Sequence, residues 1–356
     1  MMKKKMTVAV LFGGQSSEHE VSCMSVVNVV SAMDKEKYNI YLVGITKDGR
    51  WLLVDDIARV SDDTWRESKT QAIVSPDASD HGLLCISGVE QKKLPVDVIF
   101  PVLHGMYGED GTVQGLFELA RIPYVGCGVL SSAVSMDKAS TKLIVDTLGI
   151  RQAHYVLITY LDMKDMDDCV RRVEAALSYP VFVKPSKAGS SKGVSRACNA
   201  KELREGLLEA VKHDAKILVE ESINGREIEC AVLGGCAPEA AGVGEVLSAD
   251  TAMYSYEAKY FNADSHTDLR PEFPDGIRDA VRDAAVRIFK AVDGYGLARV
   301  DFFLEKGSNA IVFNEINTMP GFTGISMYPM LWADQGIDMP HLIDRLISLA
   351  YERFGA

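Results

Sequence analysis

Apolar residues fall in short runs separated by polar, glycine-rich turns. Near the start, Val8 to Phe12 is an unbroken apolar run that stops at Gly13-Gly14 and reads as a first β-strand after a solvated leader. Ile40–Ile45 and Val96–Val102 also read as strands. Val21–Met33 and Gly115–Leu119 carry helical spacing. Strands alternating with helices predict a parallel sheet with helices packed on it. Asp62 to Asp80 is polar and without clear period, and it reads as a surface excursion.

A second unit begins near Ser135. Asp137 is placed to cap a helix that runs to about Leu148, with Gly149 as its stop signal. Tyr179–Pro185 is a predicted strand followed by a Gly/Ser-rich loop, Lys201–His213 an amphipathic helix, and Lys216–Glu221 a strand. A third unit starts near Asn224-Gly225, with strands at Glu227–Leu233, Leu297–Leu304 and Ala310–Ile316. Between them Ile277, Val281, Ala284, Ala285, Ile288 and Val292 mark one face of a helix. A last helix lies near His341–Tyr351. The expected units are 1–135, 136–223 and 224–356, the first α/β and the last α+β in character.

Length supports this division, since 356 residues exceed one small core. The net charge of −12 argues against a nucleic-acid partner, though not against a nucleotide. The basic leader Lys3-Lys4-Lys5 is followed by an apolar run too short for a signal peptide, and no stretch is long enough to span a membrane. Seven scattered cysteines without a Cys-x-x-Cys pair suit reduced thiols in a cytoplasm.

Chemistry concentrates in the third unit. In the hairpin from Ala298 to Asn317, alternation puts Arg299 and Asp301 on one strand face, and Glu315 and Asn317 on one face of the next. An odd-numbered turn sets Asp301 opposite Glu315 and Arg299 opposite Asn317. Converging Asp, Glu and Asn oxygens suit Mg²⁺; the plainer reading is an ion-pair patch, which leaves one carboxylate in surplus. Lys184, at a strand end before Pro185-Ser186-Lys187-Ala188-Gly189-Ser190-Ser191, fits a phosphate-wrapping loop, although it is not a Walker A loop and a polar turn would read alike. Gly13-Gly14 lacks the dinucleotide fingerprint, and Glu18 sits where a helix start favours an acid in any case. His104 is a lone histidine ending a strand, more often a satisfied structural residue. Pro320 to Ser326 is a tight turn whose N–H groups could face an oxyanion. Tyr254, Tyr256, Lys259 and Tyr260 lie in a polar segment that is either a surface loop or a lid.

In their order these segments resemble the D-alanine–D-alanine ligases of the ATP-grasp superfamily. The match runs through Gly-Gly-x-Ser-x-Glu at 13–18, His-Gly at 104–105, Gly-Glu-Asp-Gly-Thr at 108–112 and Met-Asp-Lys at 136–138. It continues through Lys-Pro-Ser-x-x-Gly-Ser-Ser at 184–191, Tyr-Glu-Ala-Lys-Tyr at 256–260, Arg-Val-Asp at 299–301 and Asn-Glu-Ile-Asn-Thr-Met-Pro-Gly-Phe-Thr at 314–323.

The resemblance implies a three-domain ATP-grasp fold with an N-terminal Rossmann-like parallel sheet. It also implies an enzyme that joins two D-alanines through an acyl phosphate for peptidoglycan synthesis, with ATP as substrate and two Mg²⁺ (or Mn²⁺) ions. Glu18 would hold the first D-alanine's ammonium and His104 would lie near its carboxylate. Lys138 and Lys184 would meet ATP phosphates, with Ser190, Ser191 and Asn314 in the same ATP-binding set. Glu220, Ser222 and Ile223 would grip the adenine, and Glu227 the ribose. Asp301, Glu315 and Asn317 would bind metal. Ser190, Tyr260 and Glu18 would form a triad tying a lid to the first domain. Lys259, Ser326 and the Met327 backbone would anchor the second D-alanine, while Arg299 and the Gly321 N–H would stabilise the oxyanion.

Two residues depart from the family pattern: Lys192 in the glycine-rich loop, expected to face solvent, and Gly324 before Ser326, expected to loosen the second-substrate pocket. Tyr260 favours an amino-acid acceptor over D-lactate, with D-serine still open. The other classes are a silent nucleotide-binding regulator and a nicotinamide dehydrogenase. A homodimer is common in the family.

Overall fold

The computed structural model describes residues 5–190, 192–247 and 266–355. Ser191, Lys259 and Tyr260, together with Tyr254 and Tyr256, lie outside them.

Three sheets organise the chain. The first has seven strands: β1 (Met6–Gly13), β2 (Tyr38–Ile45), β3 (Trp51–Val54), β4 (Gln71–Val74), β5 (Gly82–Ser87), β6 (Glu90–Pro95) and β7 (Val98–Val102), in the order β6-β5-β4-β3-β2-β1-β7. β1 is central to its parallel part, pairing with β2 on one side and β7 on the other. Val8 to Phe12 are fully buried because alternate side chains enter two cores. Val8, Val10 and Phe12 pack beneath helix α1 (His19–Ala32), and Ala9 and Leu11 pack on the opposite face. Each such side chain contributes roughly 1.5–3 kcal/mol.

The parallel arrangement stops at β2. From β3 to β6 every pairing is antiparallel. The stretch Asp62 to Asp80 is therefore more than a surface excursion. It contains β4, and Trp65 within it is fully buried against Phe12 at 5.0 Å between ring centroids. Its polar composition hides one large apolar anchor and a four-residue strand.

Helices α2 (Ala58–Ser61), α3 (Thr112–Ala120) and α4 (Val129–Met136) precede α5 (Lys138–Asp146). Asp137 caps α5 by accepting the Ser140 N–H, and it also takes Ser186 Oγ at 2.7 Å and the Lys216 ammonium. Gly149 adopts φ +65° just past this helix. The second sheet, β10-β9-β11-β8, comprises β8 (Tyr155–Thr159), β9 (Val181–Pro185), β10 (Ser195–Ala197) and β11 (Lys216–Glu221), with α6 (Met166–Ala176) and α7 (Ala200–Ala210) packed on it.

The third sheet, β14-β13-β12-β15-β16, comprises β12 (Gly225–Gly234), β13 (Glu239–Leu247), β14 (His266–Asp268), β15 (Gly296–Glu305) and β16 (Ile311–Asn317). The predicted apolar stripe of helix α8 (Ile277–Ala291) packs on it through Val281, Ala284, Ala285 and Ile288. Helices α9 (Met327–Asp334) and α10 (Met339–Arg353) then return to the first unit, where Phe322, Tyr328, Leu342 and Leu346 share a core with β1 and β7. No helix among the described residues is long and apolar enough to cross a membrane, and all seven cysteines are free thiols.

Asp137 joins the start of α5 to β11 and to the loop after β9. Asp137→Ala should lower the unfolding free energy by about 2–4 kcal/mol, from the lost cap and the stranded Lys216 ammonium. Urea denaturation checks this, and a loss below about 0.5 kcal/mol would contradict it.

Candidate active site

β15 and β16 form the base of the site. Asp301 pairs with Glu315, and Arg299 with Asn317. Beyond Asp301 the register slips by one, so Phe302 faces Phe313 and Asn314 is the extra residue of a bulge. With uninterrupted pairing Asp301 would oppose Asn314, and Glu315 would turn to the other face.

The buried Asp301 carboxylate takes two hydrogen bonds from Arg299, Nε and Nη2 each at 2.7 Å, and one from Asn317 Nδ2 at 3.0 Å. Arg299 also pairs with Glu229 of β12, Nε to Oε2 at 3.1 Å. Glu315 is met by the Lys138 ammonium at 3.1 Å from the start of α5. The donor set is all oxygen on the acidic side, the chemistry of a hard divalent cation. Asn317 points its amide N–H at Asp301, which leaves its own oxygen for a cation.

A second cluster lies between the second and third sheets. Glu220 of β11 is shared by two lysines, Lys184 Nζ at 2.7 Å and Lys142 Nζ at 3.0 Å. Lys184 also reaches Asn314 Oδ1 at 3.4 Å. Burial opposes charge on Glu220, but the two ammonium groups outweigh it and hold its carboxyl down to about 2. Burial likewise opposes charge on Lys184, and Glu220, backed by Glu315 and Glu227, keeps it above its ordinary value. Two cations around one carboxylate leave positive charge in a buried place, an arrangement suited to phosphate.

The third element is Glu18, carried in at the start of α1. Its Oε1 accepts from Ser190 Oγ at 2.6 Å. Its buried Oε2 has no hydrogen-bond partner among the described residues. A Cβ at Gly105 would lie 2.5 Å from that oxygen, and one at Gly189 2.6 Å. Glycine at both positions is what lets the β7 and β9 loops close around the carboxylate. Such an orphaned acceptor calls for a donor from a ligand, and an ammonium fits.

One cavity gathers Glu18, His104, Ser190, Arg299, Glu315, Asn317, Gly321, Ser326 and Met327. Ser326 and Met327 stand at the N-terminus of α9, where backbone N–H groups favour an anion. Lys138 and Asp301 are linked to it through Glu315, Arg299 and Asn317, while Lys184, Glu220 and Asn314 form the neighbouring cluster. Glu227 is half-buried on β12, and Ser222 and Ile223 are half-buried between β11 and β12. Lys192 is exposed, as expected, and Gly324 faces open space.

His104 is held at both ring nitrogens, Nδ1 to the Met319 carbonyl at 2.8 Å and Nε2 to Ser25 Oγ at 3.4 Å, and burial lowers its pKa. The ring is thus held by the protein, and the residue also lines the cavity. Sequence reasoning passed over Lys142, Glu229 and Glu109. Lys142 carried a signal, lying one turn after Lys138 on the same helix face. Glu109 sat in the quoted Gly-Glu-Asp-Gly-Thr segment without a role. Burial first and then Glu18 raise the pKa of its carboxyl, while the Gly105 and Met319 N–H groups, one to each oxygen, pull the other way and select the carboxylate. His19, Glu20 and Cys23 also approach one another. Both His19 nitrogens are engaged, by the Gly14 carbonyl and by Arg66, so that cluster is not a metal centre.

Two family models match the chain, the D-ala D-ala ligase N-terminus over residues 7–127 and the D-ala D-ala ligase C-terminus over 144–348. The D-alanine–D-alanine ligase of Acetivibrio thermocellus is 48% identical over 99% of this chain and 98% of its own length. That of Caldicellulosiruptor bescii is 47% identical over 98% of this chain and 96% of its own. Among solved structures, the D-alanine-D-alanine ligase of Coxiella burnetii superposes with a TM-score of 0.87 at 34% identity, covering 99% of this chain and 96% of that one. The VanG D-Ala:D-Ser ligase of Enterococcus faecalis gives 0.88 at 37%, covering 98% and 100%.

The Glu220 cluster sets a pH dependence. Its folded value of about 2 lies below the ordinary 4.5, so the unfolded chain takes up the proton first as pH falls. The stabilisation is complete above about 4.5 and is lost towards about 2. The stability difference between wild type and Glu220→Gln, read by urea titration, should shrink across that window. A constant difference would refute the assignment.

Proposed function

The chain belongs to the D-alanine–D-alanine ligase family and is an ATP-dependent, ADP-forming ATP-grasp ligase that joins two D-alanines for the peptidoglycan precursor; we propose that it works through a D-alanyl phosphate formed in the cavity between Glu18 and Arg299. The observation that carries this reading is the unpartnered Glu18 Oε2, an acceptor for one ammonium group in a cavity that Arg299 also lines.

A carboxylate is a poor electrophile and must first gain a leaving group. Glu18 holds the first D-alanine by its ammonium, which aims its carboxylate into the cavity. Lys138 and Lys184 draw the ATP phosphates towards it, with Ser190, Ser191 and Asn314 completing the phosphate side. The D-alanine carboxylate oxygen takes the γ-phosphoryl group and ADP leaves, a step governed by positioning and charge. Ser326, Lys259 and the Met327 N–H hold the carboxylate of the second D-alanine at the head of α9. Its neutral amine attacks the acyl carbon, loses a proton and expels phosphate. Arg299 and the Gly321 N–H meet the oxyanion. Tyr260, with Ser190 and Glu18, fastens the closing segment and keeps water from the acyl phosphate. Adenine lies along Glu220, Ser222 and Ile223, and ribose by Glu227. Because Lys142 and Lys184 occupy the Glu220 side chain, that residue serves adenine through its backbone.

Asp301, Glu315 and Asn317 would hold Mg²⁺ or Mn²⁺, which, when bound, neutralises phosphate charge. The division 1–135, 136–223 and 224–356 separates substrate binding, the nucleotide grip and the closing face. Free thiols throughout the chain support a reducing cytoplasm. A homodimer belongs to the same reading, on the resemblance alone. D-serine is the second acceptor reading, favoured by the open space at Gly324 and by the likeness to a D-Ala:D-Ser ligase.

Incubation with ATP, Mg²⁺ and mixed D-amino and D-hydroxy acids, followed by mass and chiral analysis, should yield D-alanyl-D-alanine as the main product. ADP release equal with L-alanine would sink the substrate assignment. Glu315→Gln should cost turnover about 100-fold or more, the scale of losing a key electrostatic group, with much less effect on ATP affinity. Full activity in that variant would remove the metal assignment.

A further inference from the structure

The turn that carries Gly321 is held from outside its own sheet. Both polar backbone groups of Met319 are captured by side chains of the first unit: its N–H by Glu109 Oε2 at 3.1 Å and its carbonyl by His104 Nδ1 at 2.8 Å. The same holds for Phe322, whose N–H goes to Ser25 Oγ at 3.1 Å and whose carbonyl takes Asn28 Nδ2 at 3.0 Å. Pro320 has no N–H to offer. Between these two anchored residues, the Gly321 N–H has no partner among the described residues, and Gly321 lines the cavity.

Glu109 is the keystone of this clamp. Its other oxygen, Oε1, takes the Gly105 N–H at 2.8 Å, and Gly105 is the residue pressed against Glu18 Oε2. One buried carboxyl therefore spans the backbone behind the Glu18 subsite and the backbone leading to Gly321. We infer that Glu109 is a positioning residue for the ligation step, fixing Met319 so that, with Ser25 holding Phe322, the Gly321 N–H is aimed at the acyl oxygen. This inference rests on the reading of Gly321 as an oxyanion donor. Glu109 also lines the cavity, but its two oxygens are taken up by backbone N–H groups, so it acts through Met319 and Gly105 and takes no part in bond making.

Gln in place of Glu109 keeps the shape but supplies one acceptor and one amide N–H where two acceptors are needed, so an N–H faces an N–H at Met319 or Gly105. The test uses the full chain with Glu109→Gln and Ser25→Ala. Positional isotope exchange of ¹⁸O within ATP in the presence of D-alanine reads acyl-phosphate formation, and steady-state dipeptide release reads the whole reaction. Glu109→Gln should lose about 10–100-fold in dipeptide kcat, less than the loss of an oxyanion donor outright. KM for ATP should stay within about twofold, since the change is confined to transition-state binding, and isotope exchange should persist. Ser25→Ala should show the same pattern with a smaller loss, and it carries the test if the Gln variant does not fold. Wild-type kcat in both variants, or equal losses of nucleotide affinity, exchange and dipeptide release, would overturn the inference. A wild-type chain without D-alanine-dependent exchange would instead overturn the ligase reading itself.

Discussion

The pairing of β15 with β16 is the constraint on which the site depends. A strand ladder fixes side chains with a period of two, so a single residue of slippage carries a whole set of groups through the sheet. The extra residue at Asn314 uses this property locally. Outside the bulge the pairing keeps Phe302 against Phe313 in the core, ring centroids 6.0 Å apart. Inside it Glu315 comes level with Asp301, and Asn314 reaches Lys184 of the neighbouring sheet. One unpaired residue lets a core-packing register and a ligand-binding register coexist on the same two strands.

With acids brought together, the site has to neutralise them before any ligand arrives. Arg299 serves Asp301 and Glu229, Lys138 serves Glu315, and Lys142 and Lys184 share Glu220. Uncompensated buried charge would cost several kcal/mol per group, so these pairs keep the empty cavity stable. They also change what binding means. On the proposed reading, phosphate arriving at Lys138 or Lys184 would exchange one anionic partner for another, and a cation at Asp301 would replace contacts made by Arg299. Much of the binding energy would thereby be offset in the ground state, and what remained would favour arrangements reached only when all the partners had moved.

How much of this was legible in the chain follows from how local each signal is. The buried run of β1, the Asp137 cap and the Arg299–Asp301 and Glu315–Asn317 alternation are short-range patterns, and they lie where their spacing predicts. The antiparallel half of the first sheet was hidden because β3 to β6 are short and half-exposed, and β6 is almost wholly polar. Trp65 was obscured by charged neighbours, although it fills a core. Lys142 was missed because helical lysines ordinarily face water, and only the distant Glu220 explains its burial. Glu109 acts on backbone 210 positions away, a relation that no local pattern encodes. His104 stands in a motif that implies a place near the first substrate's carboxylate, and it lines the cavity while its ring is bonded to Met319 and Ser25.

Assembly from three sheets answers a conflict between packing and chemistry. A single core cannot enclose this many ionised side chains, because each needs a partner within hydrogen-bond reach and any unfilled valence is penalised. The second sheet keeps an apolar interior of its own, the first and third share one through Phe322, Tyr328, Leu342 and Leu346, and the charges gather around the cavity, where groups from different sheets satisfy one another. Gly105 and Gly189 let two of those units touch Glu18 from either side, while Ser25, Asn28 and Glu109 hold the far turn. The polar part of this meeting is held by directional bonds, beside the apolar core that the first and third sheets share. A ligand that satisfies the orphaned acceptor at Glu18 would add one more bond across the place where these units meet.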